Sequence, residues 1–304
     1  MSTVLVRALS FIIAAAVVAS PVAGRAAMTP SSTGTFTSSG ATLTYHRYGT
    51  GPIVVILNGG PGLNGLYMES AARTIAADGY EAILLDQRGT GSSVAAGKDR
   101  TMLTMAGSVA DLEALRRALR EEQLVLVTHS FGGGMALAYT AAYPQHVAKL
   151  ILSGSVGTDL SSVDLFGKRL NERMTPAERA EYAADGKRND DAAQLNIQLL
   201  AEFDDRAKAR ALIATLPQPF IYPAVSNAIY ADYDKHYHVA KALRAFHGRV
   251  TLLTGSDDAA LEMEPSLRVA FPKATIVHVA HSGHWPWIEN PPQFERALKA
   301  ALAA

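Results

Sequence analysis

Short apolar runs alternating with helical periodicities predict an α/β fold: a mostly parallel, doubly wound sheet with helices on both faces and an inserted helical lid. Three observations carry this prediction. The apolar runs are near-continuous, as strands covered on both faces require. Amphipathic stretches separate them, the clearest being Thr104–Glu121, where Val109, Leu112, Leu115 and Leu119 trace one face. One long stretch, residues 157–247, carries no strand pattern and breaks the alternation.

The chain begins with Arg7 ahead of an apolar run from Ala8 to Ala19, followed by Ser20-Pro21 and small residues through Ala27. This is the three-part layout of a secretory signal peptide, whose apolar centre is too short to span a bilayer comfortably. Residues 1–26 are therefore expected to be removed, leaving an exported protein, periplasmic or secreted, without stable membrane insertion. The Thr-, Ser- and Gly-rich segment Met28–Ser39 reads as an exposed leader.

Strands are predicted at Ala41–Tyr48, Ile53–Leu57, Glu81–Asp86, Leu124–Thr128, Lys149–Ser153, Arg249–Thr254 and Thr275–Ala280. The core is accordingly divided into residues 27–156 and 248–304, with the helical insertion at 157–247 between them. Within the insertion, charged helical patterns run through Asp164–Arg173, Pro176–Asp185, Asp190–Glu202 and Asp205–Leu216, and an aromatic-rich stretch follows at Phe220–Tyr237. Such an insertion over a sheet commonly gates substrate entry and excludes water; the structural alternative is a helical excursion that only adds stability. The chain closes with a helix at Pro291–Ala303, proline at its start and Phe294, Leu298 and Leu302 on one face.

Composition narrows the function classes. The 304 residues are 48% hydrophobic and 18% charged, enough apolar material for a sizeable core. Acidic and basic residues balance at 28 each without blocks of one sign, so neither a nucleic-acid surface nor a polybasic membrane patch is expected. There is no cysteine, which excludes disulfides, thiolate metal sites and cysteine nucleophiles. His236 and His238 lack further ligands at helical or hairpin spacing, so no metal site is expected.

Chemistry concentrates at strand ends. In Leu124–Gly134, LVLVTHSFGGG, an apolar strand runs into Ser130, and glycines and a helix follow at once. A sharp strand-to-helix turn there would lift the hydroxyl clear of its neighbours; the alternative is a serine that merely caps the helix. A serine nucleophile needs a base, and the base needs an orienting acid. The acid candidates are Asp257 and Asp258, in the turn after Arg249–Thr254, and spacing leaves the choice open. The base candidates are His281 and His284, after the last strand. The glycine-rich loop Asn58–Gly62 could bring backbone N–H groups to a reacting carbonyl. The N–H groups of Gly60 and Phe131 are assigned to that oxyanion hole, and no cofactor is required.

Taken together, NGGPG at Asn58–Gly62, DQRGTGSS at Asp86–Ser93 and HSFGGG at His129–Gly134 resemble the α/β-hydrolase superfamily, and within it the proline iminopeptidase group of serine peptidases. The resemblance covers roughly residues 40–155 and 230–303. It implies the α/β-hydrolase fold with Ser130, Asp258 and His284 as a catalytic triad. Gly255-Ser256-Asp257-Asp258 matches the group's G-x-x-D turn and selects Asp258, while Gly283-His284 matches its base loop and selects His284. Tyr233-Asp234 also resembles a recurring feature of the group. Asp86 and Arg88 are expected to brace the oxyanion strand and not to react.

Asn58 stands where the group has histidine, and Thr128 where it has glycine. Aminopeptidases of this group hold the substrate amine with acidic residues, partly from the lid. Glu172, Glu178, Glu181, Glu202, Asp204 and Asp232 are available here, although a solvated helical surface accounts for most of them. The implied function is a serine hydrolase forming an acyl-enzyme on a small-molecule or short-peptide substrate, as an aminopeptidase for N-terminal proline. The alternatives are a carboxylesterase or lactonase acting on small apolar esters, and a non-catalytic ligand-binding protein of the same fold.

Overall fold

The computed structural model describes residues 30–160 and 163–304. The predicted signal peptide, residues 1–26, lies outside the described residues. Eight strands form one sheet: β1 (Ser32–Ser38), β2 (Ala41–Gly49), β3 (Ile53–Leu57), β4 (Glu81–Leu85), β5 (Leu124–His129), β6 (Val147–Ser153), β7 (Arg249–Gly255) and β8 (Thr275–Val279). Their order across the sheet is β1-β2-β4-β3-β5-β6-β7-β8. β1 and β2 pair antiparallel, as do β2 and β4, and every later pairing is parallel. The predicted strand Ile53–Leu57 has the observed bounds, and the ends of the others differ from the sequence expectation by at most two residues.

The leader expected at Met28–Ser39 is corrected: Ser32–Ser38 is an edge strand in full register with β2, Thr35 opposite Thr44 and Thr37 opposite Thr42. Its composition imitates a loop, yet Thr33, Thr35 and Thr37 are β-branched and alternate with Gly34, Phe36 and Ser38. The threonines face solvent, and Phe36 and Ser38 are buried.

Helices cover both faces. They are α1 (Glu69–Ala77), α2 (Met105–Leu119), α3 (Phe131–Ala142), α4 (Val163–Arg173), α5 (Pro176–Arg188), α6 (Asp191–Glu202), α7 (Arg206–Ile213), α8 (Pro223–His236), α9 (Glu264–Ala270), α10 (Pro286–Glu289) and α11 (Pro291–Ala303). Alternation along the strands divides the core in two. Leu57, Leu85, Leu124 and Leu126 pack with Leu112, Leu115 and Leu137 of α2 and α3. Ile56, Leu84 and Val127 pack on the opposite face with Ile75 of α1 and Phe294 and Leu298 of α11. Each such fully buried leucine contributes about 1.5–3 kcal/mol relative to exposure.

Helices α4 to α8 lie between β6 and β7, and no described residue between those strands belongs to a sheet strand. Asp190 and Asp205, expected as helix residues, instead cap α6 and α7 by accepting N–H bonds, and Thr175 with Glu178 forms a capping box on α5. The aromatic stretch after α7 is largely α8, opened by Pro223. No described helix is long and apolar enough to cross a membrane.

Candidate active site

The carboxyl ends of the parallel strands bring the predicted site residues to one place. Ser130 sits between β5 and α3 with φ 54° and ψ −122°, a left-handed conformation that costs a non-glycine residue about 1–3 kcal/mol. Backbone bonds hold it there: its N–H donates to Ser153 at 2.9 Å, and its carbonyl accepts from Gly133 at 2.9 Å. Its hydroxyl makes no capping bond to α3, so the capping alternative does not describe it. Thr128 is an ordinary strand residue, aligned with Leu57 and Leu152, and the strained dihedral falls on Ser130 instead. A branched side chain is therefore accommodated at this position. At Gly132 it would not be, because a Cβ there would lie 2.3 Å from the Leu57 carbonyl oxygen.

The two aspartates after β7 diverge. Asp257 is exposed and accepts a bond from the Ser256 hydroxyl at 2.7 Å. Asp258 is buried, and its oxygens lie 2.9 and 3.0 Å from His284 Nδ1. His281 is exposed in a turn with φ 52°. Burial alone would push the His284 imidazole down, but the charge and hydrogen bond of Asp258, with Glu202 and Glu289 nearby, push it up to about 9. Gly154, at φ 51°, covers the pair: a Cβ there would fall 2.8 Å from Asp258 Oδ2 and 2.9 Å from His284 Nδ1.

The glycine loop after β3 faces the serine. Asn58 holds it as a side-chain donor, with Nδ2 reaching the carbonyls of Gly59 at 2.9 Å and Leu63 at 3.2 Å. Among the described residues no protein acceptor takes the N–H of Gly60 or of Phe131. The latter is a first-turn N–H of α3, a position with no intrahelical partner. From the neighbouring loop, Gln87 donates to the Asn58 carbonyl at 2.8 Å. Arg88 is locked on Asp111 at 2.8 and 2.5 Å, and Asp86 on the Ser92 N–H at 2.9 Å. These buried contacts make the Asp86–Ser93 loop a brace.

A cavity of about 140 Å³ joins Ser130, His284, Gly59 and Gly60 to residues of the inserted helices, including Phe166, Leu195, Leu199 and Glu202. Of the acidic residues singled out in the insertion, only Glu202 lines it. Glu178 belongs to the capping box, Glu172 pairs with Arg169, and Asp232 accepts the Met105 N–H. Glu202 is buried, with Oε1 accepting from Gln198 Nε2 at 2.7 Å and Oε2 from Trp285 Nε1 at 2.8 Å. Its spacing from Leu195 and Leu199 puts a carboxylate on the apolar stripe of α6, the signal that marks it in sequence.

Sequence reasoning missed three further residues. Tyr67 and His129 line the same cavity. Arg173, at the end of α4, donates to the carbonyls of Ala201, Phe203 and Asp257 at 2.6, 2.8 and 2.6 Å. His236 pairs with Asp232 at 2.8 Å, and no group of metal-ligating side chains occurs among the described residues.

Residues 52–291 match the family model of the alpha/beta hydrolase fold, and the chain belongs to that family of hydrolases. Within it, the chain is similar to proline iminopeptidases. It is 34% identical to that of Lactobacillus helveticus over 134 residues, a match spanning 44% of either protein. With that of Lactobacillus delbrueckii subsp. bulgaricus it shares 26% identity over 263 residues, 81% of this chain and 88% of the relative. The crystal structure of a proline iminopeptidase-related protein from Thermus thermophilus superposes with a TM-score of 0.68 at 24% identity, covering 90% of this chain and 97% of that one.

Proposed function

We propose that the protein is an exported serine hydrolase that removes N-terminal proline from short peptides. Ser130 Oγ attacks the scissile carbonyl as His284 Nε2 takes its proton, and Asp258 orients the imidazole through Nδ1–H. The developing oxyanion is held by the N–H groups of Gly60 and Phe131. His284 then returns the proton to the leaving amine, which departs and leaves an acyl-Ser130 ester. Water, deprotonated by His284, hydrolyses that ester and restores the serine. No cofactor enters the sequence.

The observation that carries the peptidase reading is the Glu202 carboxylate, which shares a small cavity with Ser130 and His284 and can receive a substrate ammonium. Turnover of proline arylamide by the mature protein, matched against short-chain aryl esters, tests it. Hydrolysis of the arylamide supports the reading, and ester turnover alone overturns it.

One observation favours the esterase or lactonase reading. Both Glu202 oxygens already accept internal bonds, and the remaining walls are largely apolar and aromatic, including Trp285, Phe166, Leu195 and Leu199. Export rests on Arg7 and the apolar run Ala8–Ala19, and fractionation of the expressing cell tests it.

A further inference from the structure

Three hydrogen bonds connect the glycine loop to the base loop beneath Ser130. The Gly59 N–H lies 2.5 Å from the Tyr67 hydroxyl oxygen, that oxygen lies 2.8 Å from His129 Nδ1, and His129 Nε2 lies 3.0 Å from the His284 carbonyl oxygen. The ends of this chain are chemically fixed. A backbone N–H can only donate and a carbonyl can only accept. Tyr67 therefore accepts from Gly59 and sends its own proton to His129 Nδ1, while His129 carries its proton on Nε2 and donates to His284. The opposite tautomer would set the Nε2 lone pair against a carbonyl oxygen.

The surroundings keep these groups in the required states. Burial, then the neighbouring His284, push the His129 imidazole well below its ordinary value, so it stays neutral. Burial pushes the Tyr67 phenol up, so it keeps its proton. The Tyr67 ring is wedged between Trp285, His129 and Phe220, at centroid distances of 4.8, 5.6 and 5.9 Å, and cannot swing away. The Gly59-Gly60 pair has no side chain of its own to anchor it, and Gly60 adopts φ +127°. Its orientation must come from bonds made to its backbone.

We propose that Tyr67 and His129 are positioning residues, a one-way hydrogen-bond chain that registers the oxyanion loop against the base loop on either side of Ser130. This rests on the serine-hydrolase reading, and neither polar group is left free to react with substrate.

Tyr67→Phe keeps the ring and removes both of its bonds. Losing the alignment of one oxyanion donor predicts a fall of about 30- to 300-fold in the rate of fluorophosphonate labelling of Ser130 and in kcat, with KM changed less than about threefold. His129→Leu should produce a similar fall. The double variant should be no slower than the slower single by more than about threefold, because the chain acts as a unit. Hydrogen exchange supplies a readout independent of turnover: in Tyr67→Phe the segments 57–63 and 281–286 should both exchange at least about tenfold faster. Labelling within threefold of wild type, additive losses, or faster exchange confined to one segment overturns the chain. A wild-type protein that is not labelled at Ser130 overturns the serine-hydrolase reading, and the positioning role falls with it.

Discussion

The backbone N–H of His284 donates to the carbonyl of Glu202 at 2.7 Å. The last residue of α6 is thereby fastened to the residue that carries the proposed base. Further bonds reinforce the junction: Glu289 accepts the N–H groups of Asp204 and Asp205 at 2.8 Å each and that of Gly283 at 2.7 Å. This end of the inserted helices is built into the site floor, so the Glu202 carboxylate is held at a fixed place relative to His284. That rigidity is what a specificity residue requires.

Glu202→Gln preserves shape and removes the charge. A charge-assisted hydrogen bond to a substrate ammonium is worth about 1.5–3 kcal/mol, so kcat/KM for proline arylamide should fall by about 10- to 150-fold. Turnover of an aryl ester without an amine should change by less than about threefold. Steady-state kinetics on the two substrates check this, and equal losses on both would assign Glu202 to the reaction machinery in general.

The pH profile follows from the His284–Asp258 pair. Asp258 raises the imidazole to about 9, so His284 is protonated below that value, whereas a base must be neutral to accept the Ser130 proton. The kcat/KM of the wild type should therefore climb with pH through the neutral range and level off on the alkaline side. Asp258→Asn removes the largest raising contribution, so the limb should move to lower pH, with the maximal rate reduced by about 10⁴-fold. A wild-type limb at or below the ordinary histidine value of 6.5 would contradict the pairing.

Arg173 connects the same segment to the acid turn. Its three bonds go to carbonyls on either side of Glu202 and to Asp257, the neighbour of the proposed triad acid. Arg173→Ala should lower stability by about 2–4 kcal/mol, less than three isolated charged bonds would supply because the side chain is part-exposed. Arg173→Lys should recover only part of it, since a single ammonium cannot reproduce the guanidinium fork. Denaturant melts of the three proteins check the order, and a lysine variant as stable as wild type would contradict it.

Much of this arrangement is legible in the sequence because it depends on local pattern. The β5–Ser130–α3 turn shows as an apolar run ending in serine and glycine, and Pro291–Ala303 shows as a proline-started amphipathic helix with the same bounds. β1 escaped because serine, threonine and glycine describe both a loop and a polar edge strand. Asp257 and Asp258 could not be separated by spacing, because which carboxylate turns inward is set by the turn that ends β7. Tyr67 and Arg173 were invisible for another reason: their partners, His129 and Asp257, are distant in the chain and carry no motif that pairs them.

Covalent labelling decides whether Ser130 is a nucleophile activated by His284. The mature protein and Ser130→Ala are each treated with a fluorophosphonate and read by intact mass and peptide mapping. One adduct per wild-type chain, located on Ser130, and none on the variant are expected. Equal labelling of both proteins, or an adduct mapped to another residue, would contradict that role for Ser130.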